Sequence, residues 1–193
     1  MTPVPVLGPL VPHRGSALLR AIGRFMLALM RFRVEGNLPN MPKMVVAVAP
    51  HTSNWDFVVG MAAMFALDLR LDFLAKHTLF WRPLGTFMRW IGGIPVDRTS
   101  AHGVVGEAVC AFASVPARVL AIAPEGTRRK VGRYKSGFLH IARGAGVPVV
   151  LATFDWARRS IVLGPEFATS DDPETDLKRI EAFYANVRGK RPR

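Results

Sequence analysis

The chain has 193 residues, which is enough for one domain with a hydrophobic core and short for two. Half of its residues are apolar, and 26 Lys and Arg residues against 14 Asp and Glu residues give a formal net charge of +12. This excess predicts a negatively charged partner, such as nucleic acid, anionic lipid headgroups or a phosphorylated substrate. Cys110 is the only cysteine, so an internal disulfide framework is excluded, and we expect it to pack on a buried helix face.

A basic amphipathic segment follows a proline-rich start. Residues 1–15 show no helical or strand period, and Ser16 can cap a helix that runs to about Arg33. Three arginines of that helix fall within about 40° of one another, namely Arg20, Arg24 and Arg31. The pattern is typical of an interfacial membrane helix, and a core helix whose arginines reach solvent would show it too. Without a secretory signal or ~18 consecutive apolar residues, we expect a peripheral or monotopic protein on the cytoplasmic face of the cell membrane.

Apolar strands and helical segments alternate along the rest of the chain. The predicted strands are Met44–Ala49, Leu71–Ala75, Val119–Ala123, Val147–Thr153 and Ser160–Leu163. The predicted helices are Trp55–Leu67, Thr78–Trp90, Gly103–Ser114, Ser136–Arg143 and Asp176–Asn186. This alternation favours an α/β fold with a central, mostly parallel or mixed sheet flanked by helices. The predicted organisation is a leader and amphipathic membrane-associating helix over 1–33, an α/β domain over 34–187 and a frayed basic tail over 188–193.

The first chemical motif is APHTSNWD, which runs from residue 49 to residue 56. Pro50 ends the strand, so His51 should lie in the loop and Asp56 in the first turn of the next helix. There the carboxylate can accept a hydrogen bond from one imidazole nitrogen and favour the protonated ring. Thr52 and Ser53 are better placed as spacer and cap than as nucleophile, which suggests that a substrate brings its own hydroxyl. A capped helix with an incidental histidine would have the same spacing.

The second motif is PEGTR, which follows the predicted strand Val119–Ala123 and ends at Arg128. Loops at the carboxyl ends of strands are where α/β sheets usually bind ligands. A glycine lets the backbone approach an anion, a threonine hydroxyl can donate, and a guanidinium can hold phosphate with two hydrogen bonds. A third patch, Gly92–Arg98, supplies a glycine pair and another arginine, and a turn with a solvated arginine would have the same composition.

Taken together, the motifs resemble those of the glycerolipid acyltransferase family, in particular its 1-acylglycerol-3-phosphate O-acyltransferase type and a compact bacterial subgroup. The resemblance covers roughly residues 34–165 and rests on four segments in the family's order: His51–Asp56, Gly93–Arg98, Glu125–Arg128 and Val147–Val149. A fixed word such as Glu-Gly-Thr-Arg turns up by chance in about one chain in a thousand at this length. The best-known members of the family acylate lysophosphatidic acid to phosphatidic acid.

The resemblance implies catalytic roles for three residues. His51 would be the general base that deprotonates the acceptor hydroxyl, and Asp56 would be its orienting partner. Lys76 matches a lysine that the family places near the acyl carbonyl, as an oxyanion or acyl-donor contact. A surface lysine at a strand end would fit the same position.

The resemblance also implies the substrates. Arg98 and Arg128 would hold the acceptor's phosphate, in a site that is also lined by Glu125, Gly126 and Thr127. The acceptor would be a lysophospholipid like lysophosphatidic acid, and the donor would be acyl-CoA or acyl carrier protein as co-substrate. No cofactor is expected, and no metal is expected because the histidines lack zinc-like spacing. The basic surface suits an anionic membrane as a further partner.

Three other functions fit parts of the sequence. A nucleic-acid-binding protein would explain the charge, but the aromatic residues are not interleaved with arginines as a stacking platform requires, so we expect no nucleic-acid partner. A catalytically silent membrane adaptor on the same fold would have no use for the pair His51 and Asp56. Within the enzyme class, the main alternative is O-acylation of a non-glycerol lyso-aminolipid.

Overall fold

The computed structural model describes residues 4–96, 101–126 and 133–191, without the side chains of residues 101 and 102. Within these ranges the strands are β1 (Arg33–Gly36), β2 (Lys43–Ala49), β3 (Asp72–Lys76), β4 (Gly93–Val96), β5 (Arg118–Ile122), β6 (Val149–Asp155) and β7 (Ser160–Phe167). The α-helices are α1 (Ala17–Leu29), α2 (Asn54–Ala66), α3 (Leu84–Trp90), α4 (Ala101–Ala113), α5 (Gly137–Ala145) and α6 (Pro173–Tyr184). A 3₁₀ turn covers His77–Leu79.

The described strands form one mixed sheet in the order β1-β7-β6-β2-β5-β3-β4. Within it, neighbouring strands are parallel except for the antiparallel pair β6–β7. Parallel neighbours need crossover connections, which α2, α3, α4 and α5 supply. Strand β6 is buried at every position, which explains the apolar run Val149–Ala152 at its start. The predicted α/β class with a mostly parallel or mixed sheet is therefore confirmed.

Helices cover both faces of this sheet. Side chains of α1, α2 and α3 pack into one apolar core, and side chains of α4, α5 and α6 pack into another. Successive side chains of β2 point to opposite faces of the sheet. Met44 and Val46 therefore face the first core, whereas Val45 and Ala47 face the second. The two cores fix β2 at the centre of the molecule, and β2 leads directly to the first chemical motif.

The N-terminal helix is shorter than its apolar pattern predicts. Ser16 caps it as expected, since the Ser16 hydroxyl accepts a hydrogen bond from the backbone N–H of Leu19. The helix ends at Leu29, however, and Arg31 takes a left-handed backbone conformation with φ of 57°. The next residues pair with β7 as strand β1, which the sequence did not predict. Arg31 therefore does not belong to a helical basic stripe with the other two arginines.

The segment before α1 is packed although it has no periodic pattern. Leu7 and Val11 are buried in the first core, and His13 forms a β-bridge with Leu69. Helix α1 itself packs closely on α2 at Gly23. In the described residues, the region predicted as a leader and membrane-associating helix thus contributes to the core of the α/β domain.

Three other sequence predictions differ from the structure. The single helix predicted over Thr78–Trp90 is interrupted before α3, because Pro83 has no N–H to donate within a helix. The patch beginning at Gly92 is a turn only at that residue, where φ is +104°, and it continues as strand β4. Cys110 is exposed, because Phe112, two positions later and about 200° around the helix, faces the core instead.

The close contact of α1 and α2 can be tested at Gly23. A Cβ added there would lie 2.4 Å from the Ala66 amide nitrogen and 2.5 Å from the Ala62 carbonyl oxygen. The clash can be relieved only by displacing backbone atoms of α2, so Gly23→Ala should lower the free energy of unfolding by about 1–3 kcal/mol in urea denaturation. The control Gly106→Ala adds a Cβ that meets nothing within 4 Å, so it should not destabilise the protein. Equal midpoints for both variants would show that the helices are not in this contact.

Candidate active site

Residues of both chemical motifs meet at one edge of the sheet. Strands β6, β2, β5 and β3 are consecutive and parallel, so their carboxyl ends share that edge. His51 follows β2, Glu125 follows β5, Trp156 follows β6, and Lys76 is the last residue of β3. The carboxyl edge of a parallel sheet is the usual place for a ligand site, and here it collects a histidine, a glutamate, a tryptophan and a lysine.

The pair His51 and Asp56 has the geometry that its spacing predicts. His51 lies in the loop after Pro50, and Asp56 is the third residue of α2. The imidazole Nδ1 lies 3.4 Å from the carboxylate Oδ2. Asp56 is fully buried, whereas about 26% of the His51 side chain is exposed. The ring is thus accessible from outside and is oriented from behind by a carboxylate that water does not reach.

A buried carboxylate needs hydrogen-bond donors, and the surrounding backbone supplies them. The N–H groups of Thr52 and Ser53 both donate to Asp56 Oδ2 at 2.7 Å. The bond from Ser53 belongs to a capping box, because Ser53 is the N-cap of α2 and Asp56 its third residue. On the other oxygen, the indole Nε1 of Trp156 donates to Oδ1 at 2.6 Å. The carboxylate is therefore held in one orientation from both sides.

Glu125 connects the two chemical motifs. It is fully buried, and its Oε1 accepts a hydrogen bond of 2.9 Å from the backbone N–H of His51. Glu125 is predicted to line the acceptor site, and in the structure its carboxylate contacts the backbone of the histidine loop. In the structure Glu125 thus ties the loop after β5 to the loop after β2.

Gly126 shows why a glycine follows Glu125. Its φ is +64°, in the left-handed region that other residues rarely adopt. A Cβ at this position would also lie 3.1–3.3 Å from the side-chain end of Lys135. Lys135 reaches the motif from the segment before α5, where its N–H donates to the carbonyl of Pro124. Lys135 lies outside the recognisable motif, so the sequence does not identify it as part of this site.

The remaining predicted site residues fall in two groups. Lys76 is exposed at the carboxyl edge, two strands from β2, so about 10 Å of sheet separates their strand ends. Arg98, Thr127 and Arg128 lie outside the described residues. Among the residues that are described, no group of three or more His, Cys, Asp or Glu side chains could hold a metal ion.

A family model described as "Acyltransferase" matches residues 31–154, well over half of the chain. The chain belongs to the acyltransferase family. The matched segment contains β2, the His51–Asp56 pair, Lys76 and the whole second motif. The motif-based resemblance to glycerolipid acyltransferases is therefore confirmed at the level of the family.

Individual relatives are similar to this acyltransferase-family chain over part of their length. A 1-acyl-sn-glycerol-3-phosphate acyltransferase from Escherichia coli is 31% identical over 113 residues, which are 54% of this chain and 44% of that protein. The enzyme of the same name from Haemophilus influenzae is 27% identical over 150 residues, 72% of this chain and 60% of that protein. A probable one from Mycoplasma pneumoniae is 32% identical, over 61% of this chain and 47% of that protein. The chain thus spans about half the length of the relatives it matches.

A solved structure supports the fold of this acyltransferase-family chain. The crystal structure of the 1-acyl-sn-glycerophosphate (LPA) acyltransferase PlsC from Thermotoga maritima superposes with a TM-score of 0.56. The match covers 89% of this chain and 80% of that one, at 19% sequence identity. Helices on both faces of a central sheet are therefore an arrangement with a known precedent.

Two further residues contact the His51–Asp56 loop and were not predicted from the sequence. Trp156 lies 100 positions after Asp56, and no spacing rule connects the two. The tail predicted to be frayed is ordered through residue 191, and the N–H of Arg191 donates to the Thr52 hydroxyl at 3.3 Å. A pairing of polar residues with long sequence separation has no local signature, so only the fold shows it.

The bond between Glu125 and His51 can be tested by unfolding. Glu125→Ala removes the acceptor of the His51 N–H, so the free energy of unfolding should fall by about 2–3 kcal/mol in urea. Glu125→Gln retains an acceptor oxygen and most of the volume, so it should lose less than half as much. If the two variants lose equal stability, the bond to His51 is not what Glu125 contributes.

Proposed function

We propose that the protein transfers a fatty acyl group from a thioester to the hydroxyl of a lysophospholipid, in phospholipid biosynthesis or remodelling. The donor is acyl-CoA or acyl carrier protein, and the acceptor is like lysophosphatidic acid. The observation that carries this proposal is the pair His51 and Asp56, an accessible imidazole backed by a buried carboxylate. Family membership and the similarity to 1-acyl-sn-glycerol-3-phosphate acyltransferases from three bacteria support it.

His51 acts as general base in the proposed reaction. Its imidazole accepts the proton of the acceptor hydroxyl while that oxygen attacks the thioester carbonyl. The tetrahedral intermediate then collapses, the carbon–sulfur bond breaks, and the imidazolium returns its proton to the thiolate. An ester and a free thiol are the products. Asp56 keeps the imidazole in the productive tautomer and stabilises the charged ring between the two proton transfers.

Electrostatic contacts complete the proposed site. Backbone amides or Lys76 stabilise the oxyanion of the tetrahedral intermediate. Arg98 and Arg128 hold the phosphate of the acceptor, and Gly126 and Thr127 allow its close approach. The position of Lys135 beside Gly126 supports an anion at this loop, because it adds a cation at the same place.

A membrane surface is the proposed source of the acceptor. Four apolar side chains on one side of α1 are exposed, with the fractions 71% for Leu18, 40% for Ile22, 63% for Phe25 and 73% for Leu29. Their spacing places them within about 60° on the helix, opposite the face that packs on α2. Arg20 and Arg24 are also exposed, about 100° or more around the helix from this stripe, and Arg20 lies 3.9 Å from Asp68. Helix α1 thus has two apolar faces, and lipid is the environment that would cover the second.

The neighbouring region supports the same membrane contact. Trp81, Phe87 and Trp90 are 61%, 49% and 54% exposed, on or next to α3. The Trp90 ring packs on Phe65 of α2, so this aromatic group lies on the same face of the sheet as α1. Tryptophan is enriched at membrane–water interfaces. None of the described helices is long and apolar enough to cross a bilayer.

The catalytic proposal is tested with purified protein, a panel of lysolipids and both thioester carriers, with products measured by mass spectrometry. His51→Ala should lower turnover by about 10³-fold without changing the melting temperature, because a general base contributes to the reaction and not to the core. Asp56→Asn should lose less, about tenfold to a hundredfold. Turnover of His51→Ala within tenfold of wild type would sink the mechanism. If only lyso-aminolipids are acylated, the acceptor is a lyso-aminolipid and not a lysophospholipid. If no acceptor is acylated, the result favours a catalytically silent adaptor.

The membrane proposal is tested by co-sedimentation with anionic liposomes. Replacing Leu18, Phe25 and Leu29 by serine removes apolar area that only lipid would bury, so vesicle binding should fall at least tenfold. The matched control is Phe183→Ser, which removes an exposed aromatic ring from α6 on the opposite face of the sheet. The proposal fails if the triple variant pellets with vesicles as well as the control does.

A further inference from the structure

We propose that Trp156, together with the segment Arg188–Arg191, is a positioning element for the catalytic carboxylate. It would hold Asp56, and through it His51, in the orientation that the reaction needs. The inference rests on the proposed function, because it assigns a role within that reaction. It concerns two parts of the chain that carry none of the recognised motifs.

The contact of Trp156 with Asp56 is the first observation. The indole N–H donates to Asp56 Oδ1 at 2.6 Å, and the carboxylate is fully buried. The other oxygen, Oδ2, receives the N–H groups of Thr52 and Ser53 and faces His51. A carboxylate held through Oδ2 alone could still rotate about its Cβ–Cγ bond. The indole bond to Oδ1 stops that rotation, so Oδ2 stays directed at the imidazole.

Trp156 is itself fixed by its surroundings. It lies in the turn between β6 and β7, where Asp155 Oδ1 accepts hydrogen bonds from the N–H groups of Ala157 and Arg158. Its ring packs edge-on against the buried Phe32 at a centroid distance of 4.9 Å. The guanidinium of Arg159 lies 5.4 Å from the centre of the indole ring. These contacts leave the indole little freedom, as a positioning residue requires.

The segment Arg188–Arg191 holds the same tryptophan and the same loop from outside. The Arg188 carbonyl accepts a hydrogen bond of 2.8 Å from the backbone N–H of Trp156. The ammonium group of Lys190 lies 4.8 Å from the centre of the Trp156 ring and 4.3 Å from that of Trp55. The Arg191 N–H donates to the Thr52 hydroxyl. Contacts at three successive points indicate a strap over the loop rather than a loose end.

The strap also restricts access of water to the loop. Thr52 is only 4% exposed, and Gly189 packs so closely on it that an added Cβ would lie 2.6 Å from Thr52 Cγ2. Because the Thr52 N–H is one of the donors to Asp56, displacing the strap would expose a bond that holds the carboxylate. Hydrogen bonds to a charged group are stronger where water is excluded. The strap thus acts on the same carboxylate as Trp156, by protecting its donors.

Steady-state kinetics on the full chain test the role of Trp156. Trp156→Phe removes the N–H and keeps an aromatic ring, so kcat should fall about tenfold to a hundredfold, the usual effect of losing a bond to a charged group. The KM for donor and acceptor should change less than threefold, because the substrates still bind. The control Phe112→Leu disturbs packing in the other core, on the opposite face of the sheet from Trp156, and leaves the indole bond in place. It should lower the melting temperature with less than a threefold change in kcat.

The strap is tested by two glycine variants. Gly189→Ala should force the segment away from Thr52 and lower kcat about threefold to tenfold, with KM again unchanged. Gly106→Ala adds the same methyl group in α4, where it meets nothing within 4 Å, and should behave like wild type. If Gly189→Ala also behaves like wild type, the strap has no part in positioning.

A spectroscopic readout separates this inference from the proposed function. The chain has four tryptophans, and the indole N–H signal of Trp156 is assigned in a ¹H–¹⁵N spectrum as the one that Trp156→Phe removes. That signal should exchange slowly with solvent and should shift in Asp56→Asn and in Gly189→Ala, but not in Gly106→Ala. A Trp156 signal indifferent to Asp56→Asn overturns the inference, as does a kcat of Trp156→Phe within threefold of wild type. Wild-type protein that shows the coupled signal but no turnover overturns the proposed function alone.

Discussion

The site depends on one interaction, the burial of a carboxylate at the start of a helix. Asp56 is fully buried, and an unpaired charge in that position would be prohibitively costly. Its oxygens are satisfied by donors from two parts of the chain, the loop after β2 and the turn after β6. The carboxylate therefore fixes the path of both. Because His51 belongs to the loop after β2, the hydrogen bonds of the Asp56 carboxylate also fix the position of the imidazole.

The sheet brings these donors together, since β6 and β2 are adjacent, parallel and in register up to Ala49 and Thr153. Strand β5 lies on the other side of β2, and its loop delivers the buried Glu125 to the His51 backbone. Helix α6 stabilises the centre from one face, because the Tyr184 hydroxyl donates to the Ala47 carbonyl at 2.7 Å. Burial raises the pKa of Tyr184, so its hydroxyl remains a donor over the whole physiological range. The loop that carries His51 is thus held by contacts to β2 and by contacts from the neighbouring strands β5 and β6.

The sequence predicts the parts of this arrangement that are local. Continuous apolar runs identify the central strands, and Pro50 with Ser53 and Asp56 marks the strand-to-helix junction at the right residues. Strands β1 and β4 were missed because they are short and lie at the edges of the sheet, where packing rather than apolar pattern decides. Trp156 and Lys135 were missed for a different reason. Each reaches its partner across the fold, and sequence separation hides such contacts.

The two apolar faces of α1 relate the proposed membrane contact to the site. The helix packs antiparallel on α2, since Ser16 approaches Asp68 beyond the end of α2. Its other end, at Leu29, borders an open cleft of about 350 Å³ beside Trp55 and Trp156. The exposed stripe of α1 therefore leads along the helix to the first turn of α2, which carries Asp56. Under the membrane proposal, a lipid in contact with that stripe would reach the cleft that Trp55 and Trp156 line. The proposed membrane contact of α1 and the buried carboxylate of α2 therefore lie on adjoining parts of the fold.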